Sequence, residues 1–202
     1  FTADTPNGWK ISIMLEEINF DYKLTKINLS GDQFKPEFKK ISPFNKIPVI
    51  IDHDNKLSIF ESGAILMYLG EKSGKFYDIH NKISINQWLM GQMAYVGPML
   101  GQHHQFHYYN SGKSEFGENR YFKIAEKIYK DLDERLLSSK FLAGKEYTIA
   151  DIATFPWIAR HEWHDIGLKK YNNLCNWYNM ISERDGVIKG YNFMGAGDIP
   201  KP

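Results

Sequence analysis

The apolar residues in the first 75 positions recur at both helical and extended spacings. After a turn at residues 4–8, apolar residues lie three and four positions apart, which predicts a helix with one apolar face. That face consists of Ile11, Met14, Leu15 and Ile18. Runs rich in β-branched and aromatic residues predict strands at 22–29, 47–51 and 57–60.

Two further helices complete this half of the chain. A short one is predicted near residues 36–40, and a longer one begins at Ser62, which we expect to cap it, and ends at Gly74. The chain does not begin with Met, so we expect Phe1 to be the tail of a truncated first strand. The order of elements is then β-α-β-α-β-β-α, which is the thioredoxin-like plan.

Beyond a predicted linker at residues 75–82, helical patterns replace almost all strand signal. A long helix is predicted at 83–108, with a kink at Pro98, because proline lacks an amide hydrogen and clashes with the preceding turn. A second long helix carries the apolar series Ile124, Ile128, Leu132 and Leu136.

Two more helices follow in this half. A capping-box pattern from Thr148 to Asp151 opens one of them, and residues 172–184 form the other. We therefore predict an α/β thioredoxin-like domain at 1–74, followed by an all-α helical-bundle domain at 83–202.

The composition limits which kinds of partner and which cellular compartment the sequence favours. Lys and Arg number 25 against 24 Asp and Glu, so the chain lacks the basic excess that favours nucleic acid. No apolar stretch approaches the ~20 residues of a membrane span. Cys175 is the only cysteine, which excludes an intrachain disulfide and a CxxC redox pair and favours a reducing, cytoplasmic compartment.

Two sequence features could bind an extended acidic ligand. At Glu61-Ser62-Gly63, a hydroxyl and free amides at a helix N-terminus favour a carboxylate, although most serines at such positions only cap the helix. At Ile47-Pro48, a cis peptide would leave the backbone N–H and C=O of Ile47 free to pair with a peptide ligand.

A third feature, Thr5-Pro6-Asn7, lies where thioredoxin-like redox proteins carry their reactive cysteines. No thiol is present there, so any thiol chemistry must use the sulfur of a ligand. The Thr5 hydroxyl, the Asn7 amides and the helix dipole are suitable donors to a thiolate. The alternative, that Thr5 only caps its helix, is equally open on the pattern alone.

These features occur together and in order, and over essentially its whole length the chain resembles a cytosolic glutathione transferase. The resemblance lies in Thr5–Gly8, Asn45–Ile50, Phe60–Leu69 and Tyr147–Ala153, of which the Ile-Pro and Glu-Ser pairs and the capping box are shared broadly. Narrower motifs resemble the bacterial Nu class, the glutathione-dependent disulfide-bond oxidoreductases: Thr5–Gly8, Gly31–Phe34, Ile41–Pro43 and Gly97–Gln102 with the histidines that follow.

The resemblance implies a role for each matching residue toward glutathione. Thr5 and Asn7 would lie near its sulfur and form the catalytic pair. The remaining predicted binding residues are Gln33 on the peptide backbone or the glycyl end, Lys46 on the glycyl carboxylate, Ile47 on the cysteinyl main chain, Glu61 and Ser62 on the γ-glutamyl end, and Arg120 reaching in from the helical domain. It also implies a homodimer and a site that can hold two glutathiones.

A few residues invite other interpretations. His103 and His107 share a helix face, but no intervening Glu and no third carboxylate accompany them, so we expect site-wall or capped polar residues and no metal. Phe106, Tyr108 and Trp157, with Tyr109, could line an apolar pocket, although aromatics at helical spacing more often form core.

The sequence therefore predicts a glutathione-dependent disulfide reductase, in which the thiolate of bound glutathione performs thiol–disulfide exchange. Conjugation of glutathione to electrophilic small molecules uses the same residues and is the nearest alternative. A non-catalytic binding module on the same fold is an alternative from another class.

Overall fold

A computed structural model describes all 202 residues, from Phe1 to Pro202. The first part of the chain combines helices with a small sheet, as the hydrophobic pattern predicts. Its elements are α1 (Pro6–Ile18), α2 (Pro36–Ile41), β1 (Val49–Asp52), β2 (Leu57–Phe60) and α3 (Ser62–Ser73). The predicted thioredoxin-like first half is confirmed in this arrangement.

The strands β1 and β2 pair antiparallel, with Val49 opposite Phe60 and Asp52 opposite Leu57. The segment before α1 extends this sheet, because the Val49 N–H donates to the Phe1 carbonyl at 3.0 Å. On the other side of that segment, Thr2 forms a parallel bridge with Lys26. The four extended segments therefore lie side by side in the order 25–27, 1–2, β1, β2.

The predicted strand at 22–29 is much shorter than expected. Only Lys26 forms a bridge, flanked by hydrogen bonds from the Thr2 N–H to the Thr25 carbonyl (3.0 Å) and from the Ile27 N–H to the Thr2 carbonyl (2.8 Å). The sole pairing partner is the segment at Thr2, which turns away at Asp4 into α1. The remaining residues of 22–29 form no strand, and Leu29 lies in a turn.

The second part of the chain is helical, which confirms the predicted helical domain. Its α-helices are α4 (Lys82–Gly91), α5 (Gly97–His103), α6 (Glu115–Leu137), α7 (Ile149–Ile158), α8 (His161–His164), α9 (Asn172–Ser182) and α10 (Asp185–Tyr191). Short 3₁₀ turns occur at 32–34, 79–81 and 168–170. No helix is both long enough and apolar enough to cross a membrane.

The predicted long helix at 83–108 is present but irregular. Two π-helical segments, Gln92–Val96 and His104–Tyr109, interrupt it on either side of α5. Pro98 lies two residues after the end of the first segment, and the preceding turn must adjust because proline supplies no amide hydrogen. Such π-helical turns inside α-helices are frequent at functional sites.

Helix α1 is the element on which the two halves of the core meet. It packs against α3 on one side and against α7 and α10 on the other. A Cβ atom at Gly190 of α10 would lie 2.4 Å from the Cα of Ile13, so only glycine permits this approach. The bidentate ion pair between Arg184 and Glu17, at 2.6 and 2.9 Å, fastens the same contact. The middle and the C-terminal turn of α1 are thereby held against the helical half.

The predicted capping box of α7 is confirmed. The Thr148 Oγ1 accepts from the Ala150 N–H at 3.3 Å, while the Asp151 carboxylate accepts from the Thr148 N–H at 3.0 Å. Asp151 is fully buried and also accepts from the Leu142 N–H and the Trp177 indole, both at 2.9 Å. This carboxylate therefore joins α7, the preceding loop and α9.

Candidate active site

A cleft of about 350 Å³ opens where the N-termini of α1 and α3 face the first π-helical segment and α5. Three of the predicted site residues, Asn7, Glu61 and Ser62, line this cleft. Gln92 and Trp157 close it from the helical half. Two helix N-termini thus point their unpaired backbone amides toward one polar cleft, which favours an anionic ligand.

Thr5 and Asn7 begin α1 with two separate functions. The Thr5 side chain caps the helix, because its Oγ1 accepts from the Gly8 N–H at 3.2 Å. The Oδ1 of Asn7 accepts from the indole N–H of Trp157 at 3.3 Å, a bond that spans the two halves of the chain. With its oxygen engaged, the Asn7 amide group keeps its N–H donors available to the cleft.

The Ile47–Pro48 peptide is cis. Neither the N–H nor the C=O of Ile47 forms a hydrogen bond within the chain, as the sequence analysis expected for a segment that pairs with a peptide ligand. The Ser42 hydroxyl holds the neighbouring residue, since it accepts from the Lys46 N–H at 2.9 Å and donates to the Lys46 carbonyl at 2.7 Å. The Lys46 side chain is exposed and unpaired.

The start of α3 differs from the prediction in one respect. Glu61, not Ser62, is the N-cap residue, and it has a left-handed φ of 70° that non-glycine residues seldom adopt. Ser62 is buried in the first helical turn, where its Oγ contacts Lys10 and Met93. Its hydroxyl therefore does not cap the helix, because other side chains occupy it.

Five predicted site residues lie outside the lining of the cleft: Thr5, Gln33, Lys46, Ile47 and Arg120. Gln33 is buried, with its Nε2 donating to the Leu29 carbonyl at 2.6 Å and its Oε1 lacking a partner. Arg120 lies on α6, is exposed and forms no ion pair. The structure thus brings Asn7, Glu61 and Ser62 together and leaves the other five outside the cleft lining.

Sequence reasoning missed Lys10, which lines the cleft and is only 2% exposed. Its Nζ donates to the Gln92 Oε1 at 2.7 Å and to the Ser62 Oγ at 3.3 Å. Burial lowers the pKa of Lys10 to about 7, an effect that the Glu61 carboxylate partly opposes. The available signal was its spacing, since Lys10 lies four residues before Met14 on the apolar face of α1.

Behind the cleft, aromatic and histidine rings stack in a continuous row. The Trp157 ring stacks with His104 at 5.9 Å, and His104 stacks with His164 at 4.8 Å. His164 is paired through its Nδ1 with the Tyr129 hydroxyl at 2.6 Å. Burial lowers the pKa of His104 to about 4, so this ring is neutral at physiological pH.

The other candidates from the sequence take structural positions. His103 is fully buried with its Nε2 at the His164 carbonyl, and it stacks on His107. No group of three His, Cys, Asp or Glu residues is arranged to hold a metal ion. Phe106 stacks on Tyr121, Tyr108 stacks on Trp163, and Tyr109 meets Trp163 edge-on, so of the four aromatics only Trp157 reaches the cleft.

Two features lie away from this chemistry. A larger cavity of about 810 Å³ is bounded by segments 19–25 and 48–54 and contains none of the predicted site residues. Cys175 lies half-buried on α9 and does not line the cleft. The cleft therefore contains donors suited to a thiolate but no sulfur nucleophile of the protein.

Comparison with known proteins places both halves of the chain. The family described as "Glutathione S-transferase, N-terminal domain" matches residues 2–71, and "Glutathione S-transferase, C-terminal domain" matches residues 102–185. The disulfide-bond oxidoreductase YfcG of Escherichia coli is 43% identical over 192 residues, which cover 91% of this chain and 89% of that protein.

Solved structures agree with these sequence matches. A glutathione transferase from Burkholderia graminis, crystallised with two glutathione molecules per subunit, has a TM-score of 0.90 and 34% identity, covering 97% of this chain and 88% of its own. A glutathione transferase from Pseudomonas putida, with one glutathione disulfide bound per subunit, has a TM-score of 0.89 and 37% identity, covering 96% and 90%.

Proposed function

The chain belongs to the glutathione S-transferase family, and from this membership we propose that it binds glutathione in the cleft and uses the bound thiolate to reduce disulfides. One observation carries the proposal. The cleft presents the Asn7 amide and the N-terminus of α1, while the only cysteine, Cys175, lies elsewhere on α9. A redox reaction here must therefore borrow its sulfur from the ligand.

In this proposal, glutathione lies across the N-termini of α1 and α3. Its γ-glutamyl end binds Glu61 and Ser62, and its cysteinyl main chain pairs with the free N–H and C=O of Ile47. Gln33 and Lys46 serve the peptide and glycyl end, and Arg120 approaches from α6. The buried, unpartnered Oε1 of Gln33 supports its assignment, because such an acceptor lacks compensation until a donor arrives.

The sulfur lies beside Thr5 and Asn7. A free thiol has a pKa of ~8.5, and donors aimed at the anion lower it by stabilising the thiolate. The Thr5 Oγ1 accepts from the Gly8 N–H, so the hydroxyl proton remains free to donate. The Asn7 amide supplies a second donor, held in place by Trp157.

The reaction proceeds in two exchanges. The bound thiolate attacks one sulfur of the disulfide, forms a mixed disulfide with glutathione and expels the other sulfur as a thiolate, which takes up a proton. A second glutathione thiolate then attacks the glutathione sulfur of the mixed disulfide. The products are two substrate thiols and glutathione disulfide, so two glutathiones supply the two electrons.

Structures of related proteins support a site that holds two glutathione molecules. The Burkholderia graminis structure holds two glutathiones per subunit, and the Pseudomonas putida structure holds glutathione disulfide, which are respectively the reductant pair and the oxidised product of this scheme. The Escherichia coli relative is named a disulfide-bond oxidoreductase. We propose the same reaction class for this chain, without a metal.

The proposal extends to assembly and compartment. We propose a homodimer in which the first domain of one copy, residues 1–74, contacts the helical domain of the second copy, residues 83–202. Residues 75–82 link the two domains within each copy. Exposed aromatic residues, Phe34, Phe44 and Phe116, offer apolar surface for such a contact. We propose the cytoplasm as the compartment, because reduced glutathione must be available as the electron donor.

A side-by-side assay tests the reaction. The purified protein is given glutathione with hydroxyethyl disulfide in one series and with an aryl halide in another, and glutathione binding is measured by calorimetry. Turnover of the disulfide with little aryl conjugation is the expected result. Dominant conjugation would replace the reductase by a conjugating transferase, and absence of both activities and of binding would leave a non-catalytic module.

A further inference from the structure

Lys10 is a buried ammonium group at the base of the cleft with only neutral groups in contact. Its Nζ donates to the Gln92 Oε1 at 2.7 Å and to the Ser62 Oγ at 3.3 Å, and it lies 3.9 Å from the Met93 sulfur. The side chain is 2% exposed. A buried charge is normally paired with an opposite charge, so this arrangement lacks its counter-ion.

The charged groups around Lys10 do not supply that counter-ion. Glu61, at the N-cap of α3, is the one carboxylate whose charge acts on it, and Glu61 is exposed and forms no ion pair. The first π-helical segment contributes Gln92 and Met93, which are neutral. Across the cleft, Asn7 and Trp157 are also neutral. An anion that enters the cleft would be the first full partner for this charge.

The contacts of Ser62 show where that anion would lie. The Lys10 ammonium can only donate, so in this form Ser62 accepts from it and keeps its own proton for another acceptor. Within the chain, that proton meets only the Met93 sulfur at 3.5 Å, which is a weak acceptor. A carboxylate oxygen that accepted from Ser62 at about 2.7 Å would lie within about 6 Å of the Lys10 Nζ.

A second donor in the cleft wall also lacks a partner. Gln92 is only 1% exposed, and its Nε2 is buried without a hydrogen-bond partner. The backbone amides in the first turn of α3 add the positive end of a helix of 12 residues. The Ser62 hydroxyl and the first-turn amides of α3 therefore lie together without an anion inside the chain, and the Gln92 Nε2 in the cleft wall also lacks an acceptor.

We infer that Lys10 is a positioning residue for a ligand carboxylate bound at the N-terminus of α3, acting through Ser62 and by its buried charge. The inference rests on the proposed function, in which this carboxylate is the α-carboxylate of the γ-glutamyl unit. Lys10 turns the Ser62 hydroxyl outward, and its ammonium balances the charge that the carboxylate brings into the cleft. Gln92 holds the ammonium in place.

The burial of Lys10 predicts that binding of a carboxylate ligand changes the protonation of its amine. Its pKa of about 7 in the free protein means that above pH 7 the group is largely neutral. A carboxylate beside it favours the ammonium form and raises that pKa, so binding above pH 7 takes up a proton. Below pH 6 the ammonium is already formed and no uptake is expected. Affinity for the carboxylate therefore falls as the pH rises above about 7.

The test uses S-methylglutathione, because it has no thiol whose own ionisation would contribute protons. Calorimetry in two buffers of different ionisation enthalpy, at pH 6 and pH 8, measures affinity and proton uptake together. The comparison ligand is the same compound without the γ-glutamyl α-carboxylate. The variants are Lys10→Met, which keeps the shape of the chain, and Gln92→Glu, which keeps the ammonium but gives it a counter-ion. Urea unfolding verifies that both variants fold.

The wild type should bind S-methylglutathione about 10- to 100-fold more tightly than the decarboxylated compound, as expected for a charge-assisted interaction, and take up a proton at pH 8. Both variants should lose most of this discrimination and the proton uptake. A folded Lys10→Met protein that discriminates and takes up protons like the wild type would refute the role of Lys10 while glutathione binding stands. Absence of S-methylglutathione binding to the wild type would instead overturn the proposed function, and this inference with it.

Discussion

Asn7→Ala should raise the pKa of the thiol of bound glutathione. The Asn7 amide is fixed by the Trp157 indole N–H at 3.3 Å, so its N–H donors face the cleft in a set orientation. A hydrogen bond to a charged group contributes about 1.5–3 kcal/mol, and one pKa unit corresponds to about 1.4 kcal/mol. Loss of this donor should therefore raise the thiol pKa by about 1–2 units, which reduces the thiolate fraction near neutral pH by about 10- to 100-fold.

The assay follows the ultraviolet absorbance of the bound thiolate across a pH titration, beside the rate of disulfide reduction. Trp157→Phe should produce a smaller shift in the same direction, because it keeps the ring but releases the amide from its orientation. Asn179→Ala on α9, an exposed asparagine outside the cleft, is the matched control and should leave the titration unchanged. A thiol pKa in Asn7→Ala equal to that of the wild type would refute the assignment of Asn7 as the thiolate donor.

Three other changes have defined expected outcomes. Asp151→Ala leaves the buried donors of Leu142, Thr148 and Trp177 without an acceptor. It should therefore lower the free energy of unfolding by about 3–6 kcal/mol in urea titrations, whereas Thr148→Ala should lower it by about 1 kcal/mol. Equal losses in the two variants would contradict the role of Asp151 as the shared acceptor. Glu17→Gln leaves Arg184 without its bidentate partner and should lower the free energy of unfolding by about 1–2 kcal/mol in the same assay. The loss is moderated because the Arg184 side chain is 35% exposed. No change would show that the packing of α1 on α10 does not depend on this ion pair. Cys175→Ser should retain disulfide reductase activity, and a folded but inactive protein would overturn the borrowed-sulfur mechanism.

Local patterns predicted most of the fold. The apolar face of α1, the capping box at Thr148 and the stop of α3 at Gly74 depend on residues within one or two turns of one another, so the sequence alone reveals them. The strand at 22–29 was overpredicted because β propensity describes individual residues, whereas pairing requires a partner segment, and only Thr2 supplies one.

The site was predictable where its chemistry is local and not where it is distant. Asn7, Glu61 and Ser62 are read from helix N-termini, and they meet in one cleft. Lys10 and Gln92 are 82 residues apart, and no spacing rule indicates that the Gln92 amide oxygen will accept from the buried Lys10 side chain. The expectation that Ser62 caps its helix was wrong for the same reason, since Lys10 engages its hydroxyl from another helix.

The bond between Trp157 and Asn7 joins residues 150 positions apart and makes the chemistry a property of the whole chain. A thioredoxin carries its reactive sulfur on the same small domain that folds around it. In this chain, a fragment ending at Gly74 would retain the helix start but lose the indole that aims its amide, along with Gln92 behind Lys10. Fragments and domain exchanges that separate the halves would therefore remove both the indole that orients the Asn7 amide and the Gln92 oxygen that holds Lys10.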